Sequence, residues 1–138
     1  AGDRKQVSGN LAYKSSAKIF KMHNDEGLQM LVGICGDSNS CEKFVAWLKK
    51  NWQIPYKEWN INAKFKQSGA ILVYSTGLIL EFWESAAYEV DDEYHAIGSG
   101  SAIALGAMAF GATPRQAVEI ACKHDRNTGM GIDVIEFN

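Results

Sequence analysis

The sequence lacks an excess of charge of either sign and lacks a long apolar run. Fourteen lysines and arginines against sixteen aspartates and glutamates leave a net charge of −2 over 138 residues. A fold that depends on phosphate contacts is normally basic, so this balance argues against general nucleic-acid binding. The longest apolar run, residues 102–110, is shorter than the roughly 20 residues that a membrane span needs. We therefore expect neither a nucleic acid nor a membrane as partner.

Cysteine and proline are also scarce. The three cysteines cannot all pair with one another and form no CxxC motif, which favours reduced thiols and a cytoplasmic setting. There are only two prolines and no repeat or linker, so we expect a single domain over residues 1–138. The chain opens on Ala1-Gly2-Asp3 without an initiator methionine, which is compatible with a processed, trimmed or incomplete start.

Apolar residues that alternate or run continuously predict six strands. They cover residues 17–22, 28–35, 69–74, 78–83, 94–97 and 132–137. The turn at residues 75–77 joins the third and fourth strands into a hairpin.

Three helices are predicted among these strands. The first opens at Gly36-Asp37-Ser38, and its inner face comprises Cys41, Phe44, Val45, Leu48 and Trp52. The second ends near Phe110, and because it is apolar on nearly every side we expect it to be buried. The third begins at Thr113 with a capping-box pattern, and its inner face comprises Ala117, Ile120, Ala121 and His124. This order predicts an α+β fold of two sheets with helices packed outside them.

Two loops near the end of the chain could carry chemistry. The turn at residues 98–101 stands between a predicted strand and a helix, where phosphate can bind. It lacks the lysine of a Walker loop and the glycine spacing of a dinucleotide site, so we favour a tight turn over a nucleotide-binding domain. The loop at residues 125–129 is interpreted as a helix exit with Gly129 at positive φ.

Lys18 interrupts an otherwise apolar strand. On a buried face it needs a carboxylate partner; exposure to solvent is the alternative. The three histidines share no spacing typical of a metal site or a catalytic triad, so we expect no metal. Cys35 and Cys41 fall on elements predicted to be buried, which favours structural thiols over a nucleophile.

Several segments, in order and across nearly the whole chain, resemble proteasome-like threonine peptidases. They are Ala1-Gly2-Asp3, Gly9-Asn10, Ala17-Lys18, Gly36-Asp37-Ser38, Ala96-Ile97-Gly98-Ser99-Gly100, Ala112-Thr113-Pro114 and Asp125-Arg126-Asn127-Thr128-Gly129. The resemblance is weakest over residues 53–67. It implies a four-layer αββα sandwich of the N-terminal nucleophile hydrolase kind, apparently without its first strand. It also implies peptide-bond hydrolysis by an N-terminal threonine.

The resemblance assigns roles to five side chains. Lys18 matches the active-site lysine of the family, and Asp3 matches its carboxylate partner. Ser99 matches the serine that helps to hold the amine and the catalytic water. Asp125 and Thr128 match the pair that completes this hydrogen-bonded cluster.

The resemblance also assigns an oxyanion donor and a cleft residue. The backbone N–H of Gly36 matches the donor that stabilises the tetrahedral intermediate, and Ser8 lies on the stretch that lines the substrate cleft. In the family, the nucleophilic threonine heads a strand that precedes Ala1-Gly2-Asp3. We therefore expect the nucleophile to be missing from this chain, which as given would be inactive, because an internal threonine has no free α-amine.

The resemblance implies a threonine endopeptidase subunit in a homo-oligomeric ring, acting on peptides or unfolded proteins without a cofactor. A separate ATP-dependent unfoldase would supply the substrate. We favour a natural protein that carries the first strand and its threonine. The alternative is a non-catalytic homologue that serves as an assembly or structural component of a ring.

Overall fold

The computed structural model describes residues 1–62 and 65–138. The strands are β1 Gly2–Asp3, β2 Lys5–Ser8, β3 Leu11–Lys14, β4 Ile19–His23, β5 Gln29–Gly36, β6 Ser68–Tyr74, β7 Ile79–Trp83, β8 Ala86–Glu89 and β9 Ile132–Asp133. The helices are α1 Ser38–Asn51, α2 Ser101–Ala109 and α3 Pro114–His124, with one 3-10 turn at Tyr56–Glu58. In the part of the chain that the structure describes, no helix is long and apolar enough to cross a membrane.

The largest sheet has five antiparallel strands in the order β4-β5-β6-β7-β8. One of its faces forms the core together with α1, which contacts β5 and β6. The rings of Phe44 on α1 and Phe82 on β7 stack with centroids 4.3 Å apart. The fully buried core also includes Met30, Val32, Leu48, Leu72 and Leu80. Alternation along the strands therefore gives the sheet one buried face and leaves the other face for a cleft.

Helix α1 forms as the sequence predicts. The side chain of Asp37 accepts a hydrogen bond from the backbone N–H of Ser40 at 2.8 Å, which caps the helix N-terminus. Cys41, Phe44, Leu48 and Trp52 are buried, as the periodicity indicates, whereas Val45 is half-buried. The predicted hairpin is also present, with Gly77 at φ 95° between β6 and β7.

A second group of elements is built from the two ends of the chain. Strand β1 pairs with β9, and α3 contacts both strands. The predicted capping box at the start of α3 is complete, since Thr113 and Gln116 bond each other's backbone N–H groups. On its inner face Ala117 and Ala121 are buried, but His124 is exposed in the last turn, so its predicted inward position is wrong.

The expectation that α2 is buried is wrong. Helix α2 packs mainly against α3, and among the described residues only Ala104 of this helix is buried. Phe110, just after it, is 97% exposed. Although its sequence is apolar on nearly every side, α2 is covered on one side only, because no described element packs against the opposite side.

Two strand predictions also need correction. Residues 94–97 form no strand, because β8 occupies the edge of the five-stranded sheet beside β7. The last strand covers only Ile132–Asp133, because its partner β1 is two residues long. The two-stranded ribbon of β2 and β3 and strand β8 were not predicted from the sequence.

Candidate active site

An ion pair joins β1 to the residue before β4. The ammonium Nζ of Lys18 lies 2.9 Å from Oδ1 of Asp3, and these side chains are 20% and 14% exposed. Lys18 also donates to the carbonyl oxygen of Lys5. The carboxylate partner that a lysine on a buried face requires is thus present, and the alternative of a solvent-exposed Lys18 is excluded.

The second oxygen of the Asp3 carboxylate fixes two further segments. Oδ2 accepts the backbone N–H of Lys5 at 3.1 Å and that of Gly129 at 2.8 Å. One carboxylate thereby holds the start of the ribbon, the lysine ammonium and the loop after α3. Three bonded groups leave Asp3 little rotational freedom, so the position of the Lys18 charge is well defined.

A second polar cluster lies at the start of α2 and the end of α3. Oδ2 of Asp125 accepts hydrogen bonds from the hydroxyls of Ser99 and Thr128, both at 2.6 Å. These two bonds hold the pKa of Asp125 below the usual value of a carboxyl group, and the bond from Ser99 has the larger effect. A Cβ at residue 100 would lie 2.9 Å from the hydroxyl oxygen of Thr128, so a larger residue in place of Gly100 would displace this hydroxyl.

Both clusters belong to one cleft of about 1850 Å³ that is lined by residues of the five-stranded sheet and of all three helices. Asp3, Lys18, Ser99 and Thr128 line it, and Asp125 supports the two hydroxyls without lining the cleft itself. Gly129 connects the clusters, because its N–H reaches Asp3 while the residue before it bonds Asp125. The five side chains singled out in the sequence are therefore brought together.

Gly36 and Ser8 line the same cleft from other sides. Gly36 ends β5 with φ 104°, and a Cβ there would lie 2.0 Å from the carbonyl oxygen of Gln67, so only glycine fits. Ser8 is exposed at the end of β2. The oxyanion role of Gly36 and the substrate contact of Ser8 stay predictions.

A third polar group, which was not predicted from the sequence, lies on the cleft side of the sheet. The imidazole Nε2 of His95 contacts the carboxylate of Glu81 on β7, and a hydrogen bond to Glu81 raises the pKa of Tyr88. Glu81 is a charged residue in a predicted apolar strand, the same signal that singled out Lys18. Nothing in the sequence around His95 indicates its partner.

The cysteines form no cluster suited to nucleophilic or metal chemistry. All three are free thiols. Burial raises the pKa of Cys35, which lines the cleft, and raises the pKa of Cys41 to about 11. Such thiols stay protonated at neutral pH, which fits the expectation of structural cysteines. Over residues 1–62 and 65–138, no group of three His, Cys, Asp or Glu side chains could hold a metal ion.

Solved structures share the fold. HslV from Trypanosoma brucei superposes with a TM-score of 0.72 at 21% identity, covering 93% of this chain and 86% of that one. BPH from Thiobacillus denitrificans, in complex with epoxomicin, gives 0.67 at 16% identity over 99% and 91% of the two chains. Anbu, an ancestral beta-subunit from Yersinia bercovieri, gives 0.67 at 9% identity over 94% and 72%.

The chain has the proteasome-subunit-like fold. The predicted fold class is thereby confirmed as a mixed arrangement of helices and sheets that matches these proteasome-subunit-like structures. No protein-family model and no curated protein sequence matches the chain. At identities of 9 to 21% the likeness establishes the fold alone.

Proposed function

We propose that this chain is a threonine-type peptidase subunit and that a threonine on the N-terminal side of Ala1 supplies the nucleophile. The observation that carries the proposal is the Asp3–Lys18 ion pair beside the hydroxyl cluster of Ser99, Asp125 and Thr128, at one cleft next to Ala1. Desolvation of a largely buried lysine is unfavourable, which favours a catalytic role for Lys18 over a scaffold without catalysis. The fold of HslV and BPH supports the same reaction class.

In this proposal Lys18 lowers the pKa of the threonine α-amine, which acts as the general base. A threonine hydroxyl is a weak nucleophile and gives its proton to the α-amine, directly or through water, as its oxygen attacks the peptide carbonyl carbon. A free α-amine has a pKa of about 7.7–8.0. The nearby Lys18 cation lowers that pKa, so the amine is neutral and able to accept a proton at neutral pH.

The remaining residues act on the intermediate and on the water. As the carbon–oxygen bond forms, the carbonyl electrons move to the oxygen, which accepts the N–H of Gly36. The intermediate collapses, the C–N bond breaks, and the proton passes to the leaving amine. The ester left on the threonine is then hydrolysed by water, which the hydroxyls of Ser99 and Thr128 orient.

We propose that the subunit works in a ring of like subunits, is a single domain over residues 1–138, and acts on peptides or unfolded proteins. The fold it shares with HslV and BPH supports a ring assembly. The sequence has no ATPase motif, so unfolding of larger substrates would need a separate ATP-dependent partner.

Peptide hydrolysis tests the proposal. In a protein with a threonine at the head of the segment before Ala1, a fluorogenic peptide is cleaved, and epoxomicin, the compound in the BPH structure, inhibits cleavage. Lys18→Ala lowers kcat by about a hundredfold or more, because the charge that favours the neutral amine is lost. Lys21→Ala is the matched control, since Lys21 lies three residues further on, in β4, and its ammonium donates a hydrogen bond to the side chain of Asn138.

A second variant keeps the mechanism testable if Lys18→Ala does not fold. Ser99→Ala removes one exposed hydroxyl and lowers kcat with the fold intact, as circular dichroism would verify. Unchanged turnover in folded Lys18→Ala protein contradicts the mechanism. A folded, ring-forming protein with the threonine in place but without hydrolysis contradicts the peptidase assignment and favours the non-catalytic ring component.

A further inference from the structure

The ribbon of β2 and β3 is basic, apolar and uncovered. From residue 4 to residue 24 the sequence has five lysines and arginines and no carboxylate. Arg4 is paired with Asp133 and Lys18 with Asp3. Within the described part of the chain, the ribbon keeps two cations without a carboxylate partner: the exposed Lys14, and the half-buried Lys5, whose ammonium donates to the carbonyl oxygen of Arg126. Leu11 on β3 is 67% exposed, and Tyr13 beside it is also exposed. An isolated two-stranded ribbon is marginally stable in water, so this one gains from a cover.

The opposite charge is concentrated at the edge of the large sheet. We call β8 together with residues 90–94 the acidic edge. No lysine or arginine occurs between Lys66 and Arg115, whereas Glu89, Asp91, Asp92 and Glu93 fall within this segment. Asp91, Asp92 and Glu93 are exposed and make no ion pair among the described residues. Tyr88 adds an aromatic ring that is 48% exposed.

Both surfaces also end in an unpaired strand edge. Strand β3 pairs only with β2, and β8 pairs only with β7, within residues 1–62 and 65–138. Each strand is four residues long. An edge strand presents a row of open N–H and C=O groups to another chain. The ribbon and the acidic edge therefore match in strand length, in exposed apolar side chains and in opposite charge.

We propose that the basic ribbon of one copy docks along the acidic edge of a second copy of this chain. The two surfaces differ, so the contact is head-to-tail, and repeated contacts close a ring if the rotation allows it. This inference rests on the proposed ring assembly and names the surfaces that form it. The ribbon carries Lys5, Gln6 and Ser8 of the cleft, so docking also holds this wall of the candidate active site in place.

Charge reversal on each surface tests the contact in the full-length protein. Lys14→Glu changes the ribbon, and Asp91→Lys with Asp92→Lys changes the acidic edge; these side chains are exposed and outside the catalytic clusters. Sedimentation velocity over a concentration series measures assembly. Each altered protein alone assembles about tenfold more weakly than wild type, because like charges meet at every contact. Lys50→Glu and Glu42→Lys, exposed on α1, are the matched controls and assemble as wild type does.

Mixing the two altered proteins is the decisive step. In an equimolar mixture each altered ribbon meets an altered edge and each wild-type ribbon meets a wild-type edge, so assembly returns to the wild-type size. Misfolding of either protein would prevent this rescue. Assembly that is unaffected by both reversals, or that mixing does not restore, overturns the proposed contact while the peptidase assignment stands. A monomeric wild-type protein overturns the ring as well, and hydrolysis is read separately with the fluorogenic peptide.

Discussion

The carboxylate of Asp125 accepts two hydroxyl hydrogen bonds that favour its ionised form. Ser99 and Thr128 lie 2.6 Å from the same oxygen, and their bonds hold the pKa of Asp125 below its usual value. A carboxyl group with a pKa lowered by folding stabilises the protein fully above its unfolded pKa of about 3.9. That stabilisation is lost as the pH falls through the lower pKa of the folded protein.

Asp125→Asn therefore lowers the free energy of unfolding by an amount that depends on pH. We expect the variant to unfold more easily than wild type at pH 7, with the difference in free energy of unfolding shrinking below about pH 4. Denaturant unfolding at several pH values measures this difference. Asp25→Asn, on an exposed turn, is the control for the loss of one surface carboxylate. A difference between Asp125→Asn and wild type that stays constant down to pH 3 would contradict the account.

At the scale of elements, α3 links stability to the candidate site. Its N-terminus is closed by a capping box in which Thr113 Oγ1 accepts the N–H of Gln116 at 3.2 Å and Gln116 Oε1 accepts the N–H of Thr113 at 2.9 Å. The helix contacts β1 and β9 and ends at Asp125. Its position therefore sets the distance between the hydroxyl cluster and the Asp3–Lys18 ion pair.

Thr113→Ala removes one side of this capping box. We expect a loss of about 1 kcal/mol in the free energy of unfolding, the usual cost of deleting a threonine cap. Chemical denaturation measures it, with the exposed Thr76→Ala in the β6–β7 hairpin as matched control, which changes stability by less than about 0.5 kcal/mol. Equal stability of the two variants would mean that the cap does not support α3.

Helices and strands with regular apolar spacing were predictable from the sequence, and the exposed edge strands were not. Helices α1 and α3 and strands β5 to β7 combine regular apolar spacing with turn or cap residues, so local sequence and tertiary packing agree. Strand β3 is exposed along its whole length, and in β8 only Ala87 packs against the core, which leaves little alternation to detect. No strand forms at the predicted residues 94–97, because β8 already pairs with β7 at that edge of the five-stranded sheet.

At the scale of the whole molecule, the candidate site depends on contacts between distant parts of the chain. Asp3 reaches Gly129 across 126 positions, and Ser99 reaches Asp125 across 26. No local pattern encodes such pairs; the resemblance to a known family grouped these residues, and the fold brings them together. Lys18 and Glu81 could be singled out as charges in apolar strands, but their partners depend on the packing of other elements.

In the proposed mechanism, a threonine that precedes Ala1 supplies the nucleophile. The most direct measurement is N-terminal sequencing, with intact mass, of the protein purified from its natural source. We predict a threonine at the first position of a strand that precedes Ala1, which would place an α-amine and a hydroxyl beside Lys18. A native start at Ala1, or a preceding strand headed by another residue, would contradict the peptidase assignment and leave the fold as a component of an assembly.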